Sequence, residues 1–214
     1  MQQVAAATTA RSAAAPHVAY LEHNSPSVGD ALSADTCRSA STGIDALGLF
    51  LSDGYHAQVD VPRVLAAESS GVSVTDHGTL GMGTWLLPAL ERNLAAADVD
   101  VTDPQTGLVL VAAGSSRPQA REQVVQLAGA WQRERGGPVR PAFASGPGPT
   151  VEEALDMLSD TGCRARAVAL LLLAPGVLAD RVIATSAPQG APVARPIGAA
   201  PEVVDRIIAL TSAA

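Results

Sequence analysis

The chain repeats itself. Residues 19–32, AYLEHNSPSVGDAL, align without a gap on residues 142–155, AFASGPGPTVEEAL, setting Pro26 on Pro149, Val28 on Val151 and Ala31-Leu32 on Ala154-Leu155. The offset of 123 (19 against 142) persists along the chain. LFLSDG, ending at Gly54, falls on LLLAPG, ending at Gly176, with the register moved by one residue. A looser match sets TLGMGTWLLPAL around Gly81 on PIGAAPEVVDRI around Gly198. Two copies of one unit form the same elements, so what one copy reveals about its fold applies to the other.

The second copy is the easier to read. Leu108–Ala112 is an unbroken apolar run, the mark of a strand buried on both faces, and it is followed by Gly114-Ser115-Ser116 and a helical stretch over Gln119–Arg135. A second strand is predicted over Arg140–Ala144. Thr150 with Glu153 forms a capping box for a second helix, and a third strand is predicted over Ala167–Leu173. Strand and helix in alternation give a parallel sheet with helices on its faces. The fold class expected is therefore α/β with two flavodoxin-like lobes, a parallel sheet flanked by helices in each, and a cleft between them. The polar segment Asp98–Gln105, with Asp103-Pro104, reads as the linker between an N-terminal repeat over 1–98 and a C-terminal repeat over 106–214.

The same alignment places the first strand of copy one ten positions before the numbering starts, because the counterpart of Ala113 falls there. Residues Met1–Ala15 match the end of the first helix instead, with Gln3 on Gln126 and Ala5 on Ala128. The first strand of a doubly wound sheet commonly lies inside the sheet, with its C-terminal end at the ligand crevice. Either the natural chain begins upstream, which is the expectation, or this form is damaged.

Charge and composition narrow the function classes. The net charge is -7, and every basic side chain is arginine, with no lysine, which argues against general nucleic-acid binding. The apolar run Ala167–Pro175 is far short of the roughly 18 residues of a membrane span, and the N-terminus lacks a signal-peptide pattern. A cytoplasmic protein with no membrane partner is expected, and a periplasmic two-lobed receptor is disfavoured. Cys37 and Cys163 have no metal-ligand spacing and read as small hydrophobes. No Walker motif supports ATP-driven chemistry.

The segment LGLFLSDGYHAQVDVP, Leu47–Pro62, is where chemistry concentrates: an apolar run breaks at Gly54 and delivers His56 into a loop, where it can meet a ligand. Asp60, ahead of Val61-Pro62, reads as a helix N-cap with proline in the first turn. Glu22 reads as an exposed acid that could cap a strand end. His23, its neighbour, points to the opposite face of an extended segment and is peripheral. His17 is expected to open a strand away from the site. His77 is expected just past a fourth strand, Val72–Thr75, near the same sheet end as His56. Gly114-Ser115-Ser116 supplies N–H groups at a helix start, with Arg117 beside it. Trp85 and Trp131 fall on helical stretches and read as packing residues.

AYLEHNSPS, LFLSDGYHAQVDVP and VLVAAGSSRP together resemble the sirohydrochlorin chelatase family, the small metal-inserting enzymes of cobalamin and siroheme synthesis, over nearly the whole chain. The resemblance is closest to the two-copy form whose second copy has lost its catalytic histidine. The family's glycine, histidine and Asp-Ile-Pro motif is matched by Gly54, His56, Asp60, Val61 and Pro62, and its strand-end acid by Glu22. A first-strand histidine in a His-Gly-Ser-Arg motif has Ala113, before Gly114 and Ser115, at its place in copy two. What the resemblance implies is insertion of Fe(II) or Co(II) into sirohydrochlorin with release of two protons, and no cofactor beyond the metal substrate. His56 and Glu22 are then the catalytic and metal-binding pair, and Gly54, Tyr55, Ser115 and Arg117 the substrate contacts. Imidazole and carboxylate suit both exchangeable metal ligation and proton acceptance. A metal- or tetrapyrrole-binding relative without turnover is the alternative reading.

Overall fold

The computed structural model describes residues 1–11, 16–22, 24–33, 43–69 and 71–212. His23 and Cys37 lie outside the described residues. Contacts divide the chain into two compact units, Met1–Gly81 with Val203–Ala214, and Met82–Glu202.

The first unit carries helix α1 (Gln2–Thr9), helix α2 (Val28–Ser33) and strand β1 (Ile44–Gly48). A π-helical turn, His56–Asp60, then runs into helix α3 (Val61–Glu68), and strand β2 (Val74–Thr79) follows. β1 and β2 pair in parallel, Ile44 opposite Val74 and Asp45 opposite Thr75, with a register shift between Ala46 and Gly48. His77 therefore sits inside β2, not past the end of a strand closing at Thr75. Its Nε2 lies 2.7 Å from Asp45 Oδ1 on β1, and this cross-strand pair holds the polar stretch Asp76-His77-Gly78 in the ladder.

The second unit opens with a short 3₁₀ turn, Thr84–Leu86, and helix α4 (Leu87–Ala95). Strand β3 (Thr106–Ala112), helix α5 (Pro118–Arg135), strand β4 (Val139–Phe143), helix α6 (Val151–Asp160), strand β5 (Ala165–Leu171) and helix α7 (Val177–Ser186) follow. The sheet order is β4-β3-β5, all parallel. Every residue of β3 is buried, as the apolar run requires of a central strand covered on both faces. Val109, Val111, Ala142, Val168 and Leu170 of the sheet pack with Val151, Ala154, Leu155 and Leu158 of α6. On the edge of β5, Val193 forms a single parallel bridge to Val168. α5 ends at Gly136, whose φ of +71° gives the left-handed closing residue that glycine adopts without strain. Trp131 is fully buried, and its indole N–H donates to Glu91 Oε1 at 2.8 Å, which bears out its reading as a packing residue.

The repeat is visible in hydrogen bonds. The Tyr20 N–H donates to Pro26 O at 2.9 Å, and at the same offset the Phe143 N–H donates to Pro149 O at 2.9 Å. Thr150 and Glu153 form the predicted capping box on α6. Ser27 and Asp30 form its twin on α2, with Asp30 Oδ2 accepting from the Ser27 N–H at 3.0 Å and Ser27 Oγ from the Asp30 N–H at 3.1 Å. The loops after Gly54 and Gly176 match as well. Gly54 O accepts from the Gln58 N–H at 3.1 Å, and Gly176 O from the Asp180 N–H at 3.0 Å.

The final helix, α8 (Pro201–Thr211), matches α4 in the looser part of the alignment. From Val203 onward it belongs to the first unit, where Asp205 pairs with Arg11 and the Arg206 Nε–H donates to Leu80 O at 3.1 Å. α4, encoded in the first repeat, belongs to the second unit, where Asn93 donates to the carbonyls of Arg195 and Pro196 at 3.2 and 3.1 Å. Each repeat thus gives its last helix to the other's unit.

Candidate functional site

His56 is positioned by the way the chain enters α3. Gly54 ends the apolar run, and five residues then wind as a π-turn before Pro62 fixes the first turn of the α-helix. A π-turn inserts one residue into the helical ladder, and such insertions recur at functional positions because they re-aim side chains. Here it brings residues 56 and 60 onto one face. His56 Nδ1 stands 2.7 Å from Asp60 Oδ2, and Asp60 Oδ1 accepts from Arg63 Nη2 at 3.1 Å. The Asp60 side chain is 12% exposed and that of His56 58% exposed, so the carboxylate is the fixed partner and the ring the accessible one.

Asp60 makes no capping hydrogen bond. It occupies the N-cap position expected of it, but its backbone is already helical, so the side chain reaches back to His56 instead of forward to the N–H groups of the next turn. Sequence reading missed this role. The signal was present in the spacing His-x-x-x-Asp, which on any helical turn places two side chains as neighbours. An ionised carboxylate offers only acceptor oxygens, so in this bond Nδ1 is the donor and Nε2 is the ring nitrogen that could ligate a metal. A carboxylate behind an imidazole is the usual second partner of a metal-binding histidine.

Tyr55, 53% exposed, sets its ring edge-on to that of His56, centroids 6.4 Å apart and planes at 78°. Glu22 is exposed, in the bend after Tyr20. Both His56 and Glu22 line one open pocket of about 520 Å³ in the first unit, and its other walls come from α1, the segment 16–22, α2, β1 and α3, with Ile207 and Thr211 of α8. His17 lines this pocket too, in an irregular stretch, so it neither opens a strand nor lies away from the site. Among the described residues no three of His, Cys, Asp and Glu are grouped to hold one ion.

Ser115 and Arg117 belong to the second unit. Gly114, with φ of +103°, makes the predicted turn after β3. Ser115 Oγ accepts from the Arg117 N–H at 3.1 Å and Ser115 O from Arg121 Nη1 at 2.7 Å, so this serine organises the start of α5. At the position equivalent to His56 the second unit has Leu178, on α7. At the position equivalent to Glu22 it has Ser145, whose hydroxyl donates to Ala113 O at 2.7 Å. The second copy therefore has neither imidazole nor carboxylate at these places.

The CbiX family model matches residues 1–97 and again residues 107–213. The chain belongs to the CbiX family. Two of its matches among solved structures are SirB from Bacillus subtilis with Fe3+ (21% identity, TM-score 0.78) and the sirohydrochlorin chelatase SirB from Bacillus subtilis subspecies spizizenii in complex with cobalt (20%, 0.72). Each covers 99% of this CbiX-family chain, and 88% and 87% of the SirB chains. DR2241 from Deinococcus radiodurans, a multi-domain protein described as structurally similar to chelatases, matches at 24% identity and a TM-score of 0.67, over 98% of this chain and 50% of its own. At these identities the likeness is one of fold, and it agrees with the α/β architecture of two parallel sheets flanked by helices. No curated protein matches in sequence.

Proposed function

We propose that this CbiX-family chain is a metallochelatase that inserts Fe(II) or Co(II) into sirohydrochlorin and releases the two pyrrole protons. The observation that carries the reading is the His56–Asp60 pair, an accessible imidazole with its Nδ1 bound to a nearly buried carboxylate, on the wall of the pocket that Glu22 also lines.

The chemistry follows from these groups. A divalent ion held by His56 Nε2 and the Glu22 carboxylate would be bound by few ligands and handed on readily, as insertion requires. As the ion enters the macrocycle, two N–H protons leave, and an imidazole or carboxylate released from the metal is a base of suitable strength to take them. Tyr55 and Gly54, next to His56, are the substrate contacts of the first repeat, 1–98. In the second, 106–214, Ser115 and Arg117 are the residues whose N–H group and guanidinium suit a substrate carboxylate. The metal and the tetrapyrrole are the only partners the reaction needs, with no further cofactor and no nucleic acid, and its setting is the cytoplasm. No helix among the described residues is long and apolar enough to cross a membrane.

The test is the absorbance change of sirohydrochlorin on metal insertion, followed with Co(II) and with Fe(II) under anaerobic conditions. The chain is expected to exceed the uncatalysed rate, and His56→Ala to remove the excess. A rate equal to the uncatalysed one, with metal still bound, would leave a binding protein in place of an enzyme. Full activity in His56→Ala would overturn the site.

A further inference from the structure

We propose, resting on the chelatase reading, that Arg63 is a substrate anchor: its guanidinium holds a peripheral carboxylate of the macrocycle while His56 faces the centre of the ring.

A tetrapyrrole with several acidic side chains needs fixed positive charge around it, and the pocket that His56 lines supplies little. Among the described residues no arginine lines it, and the chain has no lysine. Of the described arginines in the first unit, Arg11 is paired with Asp205, and Arg206 donates to Leu80 O. Arg63 is the remaining one, and its side chain is 72% exposed.

Its place relative to His56 is fixed through Asp60. One oxygen of that carboxylate serves each neighbour, Oδ2 at 2.7 Å from His56 Nδ1 and Oδ1 at 3.1 Å from Arg63 Nη2. The guanidinium therefore stands no farther from the metal-facing ring than two hydrogen bonds and the width of one carboxyl group. Only Nη2 is used in this contact, so Nη1 and Nε keep their N–H donors for a ligand, and a carboxylate is the group that fits such a fork. Acidic side chains of a tetrapyrrole project from the rim of the ring whose centre takes the ion, and Arg63 lies beside the imidazole as that rim lies beside the centre.

Helix stability does not account for the residue. Arg63 is in the first turn of α3, where a cation opposes the helix dipole and an acid would be favoured. Formal charge gives it a use. With a divalent ion on His56 and Glu22, the ion and Arg63 outweigh the carboxylates of Glu22 and Asp60, and the group attracts a polyanion. Once the ion has passed into the macrocycle, the same four side chains are net negative and favour release. Without Arg63 the loaded group would be neutral and the attraction lost.

The experiment follows Co(II) insertion into sirohydrochlorin by absorbance with the 214-residue chain, Arg63→Gln and Arg63→Lys, and measures Co(II) affinity of each by calorimetry. Arg63→Gln is expected to raise the KM for sirohydrochlorin by about 10–100-fold, the effect of losing a charge-assisted pair, with kcat and Co(II) affinity much less changed. Arg63→Lys keeps the charge without the fork and should recover part of the loss. A residue that serves only to hold Asp60 would give the opposite split, with kcat and Co(II) affinity falling together at an unchanged KM, and that result would overturn the anchor. Wild type that turns over while Arg63→Gln keeps its KM overturns the anchor alone. Wild type no faster than the uncatalysed reaction overturns the chelatase reading and the anchor with it.

Discussion

Asp60 Oδ2 lies 2.7 Å from Nδ1 of His56, the two residues bracketing a single π-turn. The bond fixes which nitrogen of the ring can face a metal. Asp60→Ala removes the acceptor and lets the ring rotate and change tautomer, so affinity for Co(II) should fall by about 10–100-fold, the usual effect of losing a carboxylate behind a ligating histidine. Asp60→Asn, whose carbonyl still accepts from Nδ1–H, should lose less. Calorimetric titration with Co(II) measures both, and equal affinities in wild type and Asp60→Ala would refute the positioning role.

Arg92 and Glu202 form a two-pronged pair, Nη1 to Oε1 at 3.1 Å and Nη2 to Oε2 at 2.7 Å. The guanidinium hydrogen bonds hold the Glu202 carboxyl below its ordinary value. A carboxyl that is more acidic in the folded state stabilises the fold above its unfolded value, and the gain is lost as pH falls through the folded one. Glu202→Gln should therefore cost about 0.5–1 kcal/mol at neutral pH, the modest worth of a partly exposed pair, and less at an acid pH below the ordinary carboxylate range. Urea unfolding of both proteins at the two pH values tests the sign, and a constant difference would show that the charge is not responsible.

Asn93 is 4% exposed and fully engaged, donating to the carbonyls of Arg195 and Pro196 and accepting from Arg195 Nε at 2.9 Å. Truncation leaves these groups unsatisfied away from water. Asn93→Ala should destabilise the chain by roughly 2–3 kcal/mol. A loss below about 0.5 kcal/mol, the range of an ordinary surface change, would mean the carbonyls find other donors.

The twin capping boxes invite a paired substitution. Thr150→Ala removes a side-chain acceptor at the start of α6, a helix whose Val151, Ala154, Leu155 and Leu158 are buried, and should lower global stability by about 1 kcal/mol. Ser27→Ala does the same at α2, which buries only Leu32, so its effect should appear in local hydrogen exchange and hardly in global unfolding. Equal global losses would show that α2 unfolds with the core.

Strongly patterned elements were legible in the sequence. β3 is an unbroken apolar run, α5 follows the Gly114-Ser115-Ser116 turn, α6 has its capping box, and each lies where these signals put it, to within two residues. Strand β5 begins at Ala165, two residues before the apolar run. The Arg164 N–H donates to Gln105 O, and the Arg166 guanidinium is absorbed by Ser159 and Gln189, so polar residues enter the ladder. β2, reading VTDHGT, has no apolar alternation after Thr75, and its last residues are held by a side-chain pair that composition does not announce. The candidate site was legible as residue types, since His56 and Glu22 do line one pocket, and the Asp60 contact was open to reading from the His-x-x-x-Asp spacing, whereas the winding of 56–60 as a π-turn is encoded by no local propensity. The exchange of α4 and α8 was hidden for a different reason, because an amphipathic helix records that it has an apolar face and not which sheet will cover it.

That exchange makes the linker an unsuitable place to divide the protein. A fragment ending near residue 98 would carry α4 with its buried Leu87, Leu90 and Leu94 but none of the β3–β5 unit they belong to, and would lack the α8 residues that wall its own pocket. The complementary fragment would expose the bed left by α4 and carry α8 as a surplus apolar helix. Two halves that look self-contained on paper are expected to be insoluble apart and to recover structure only when mixed, so the gene behaves as one folding cassette despite its duplicated text.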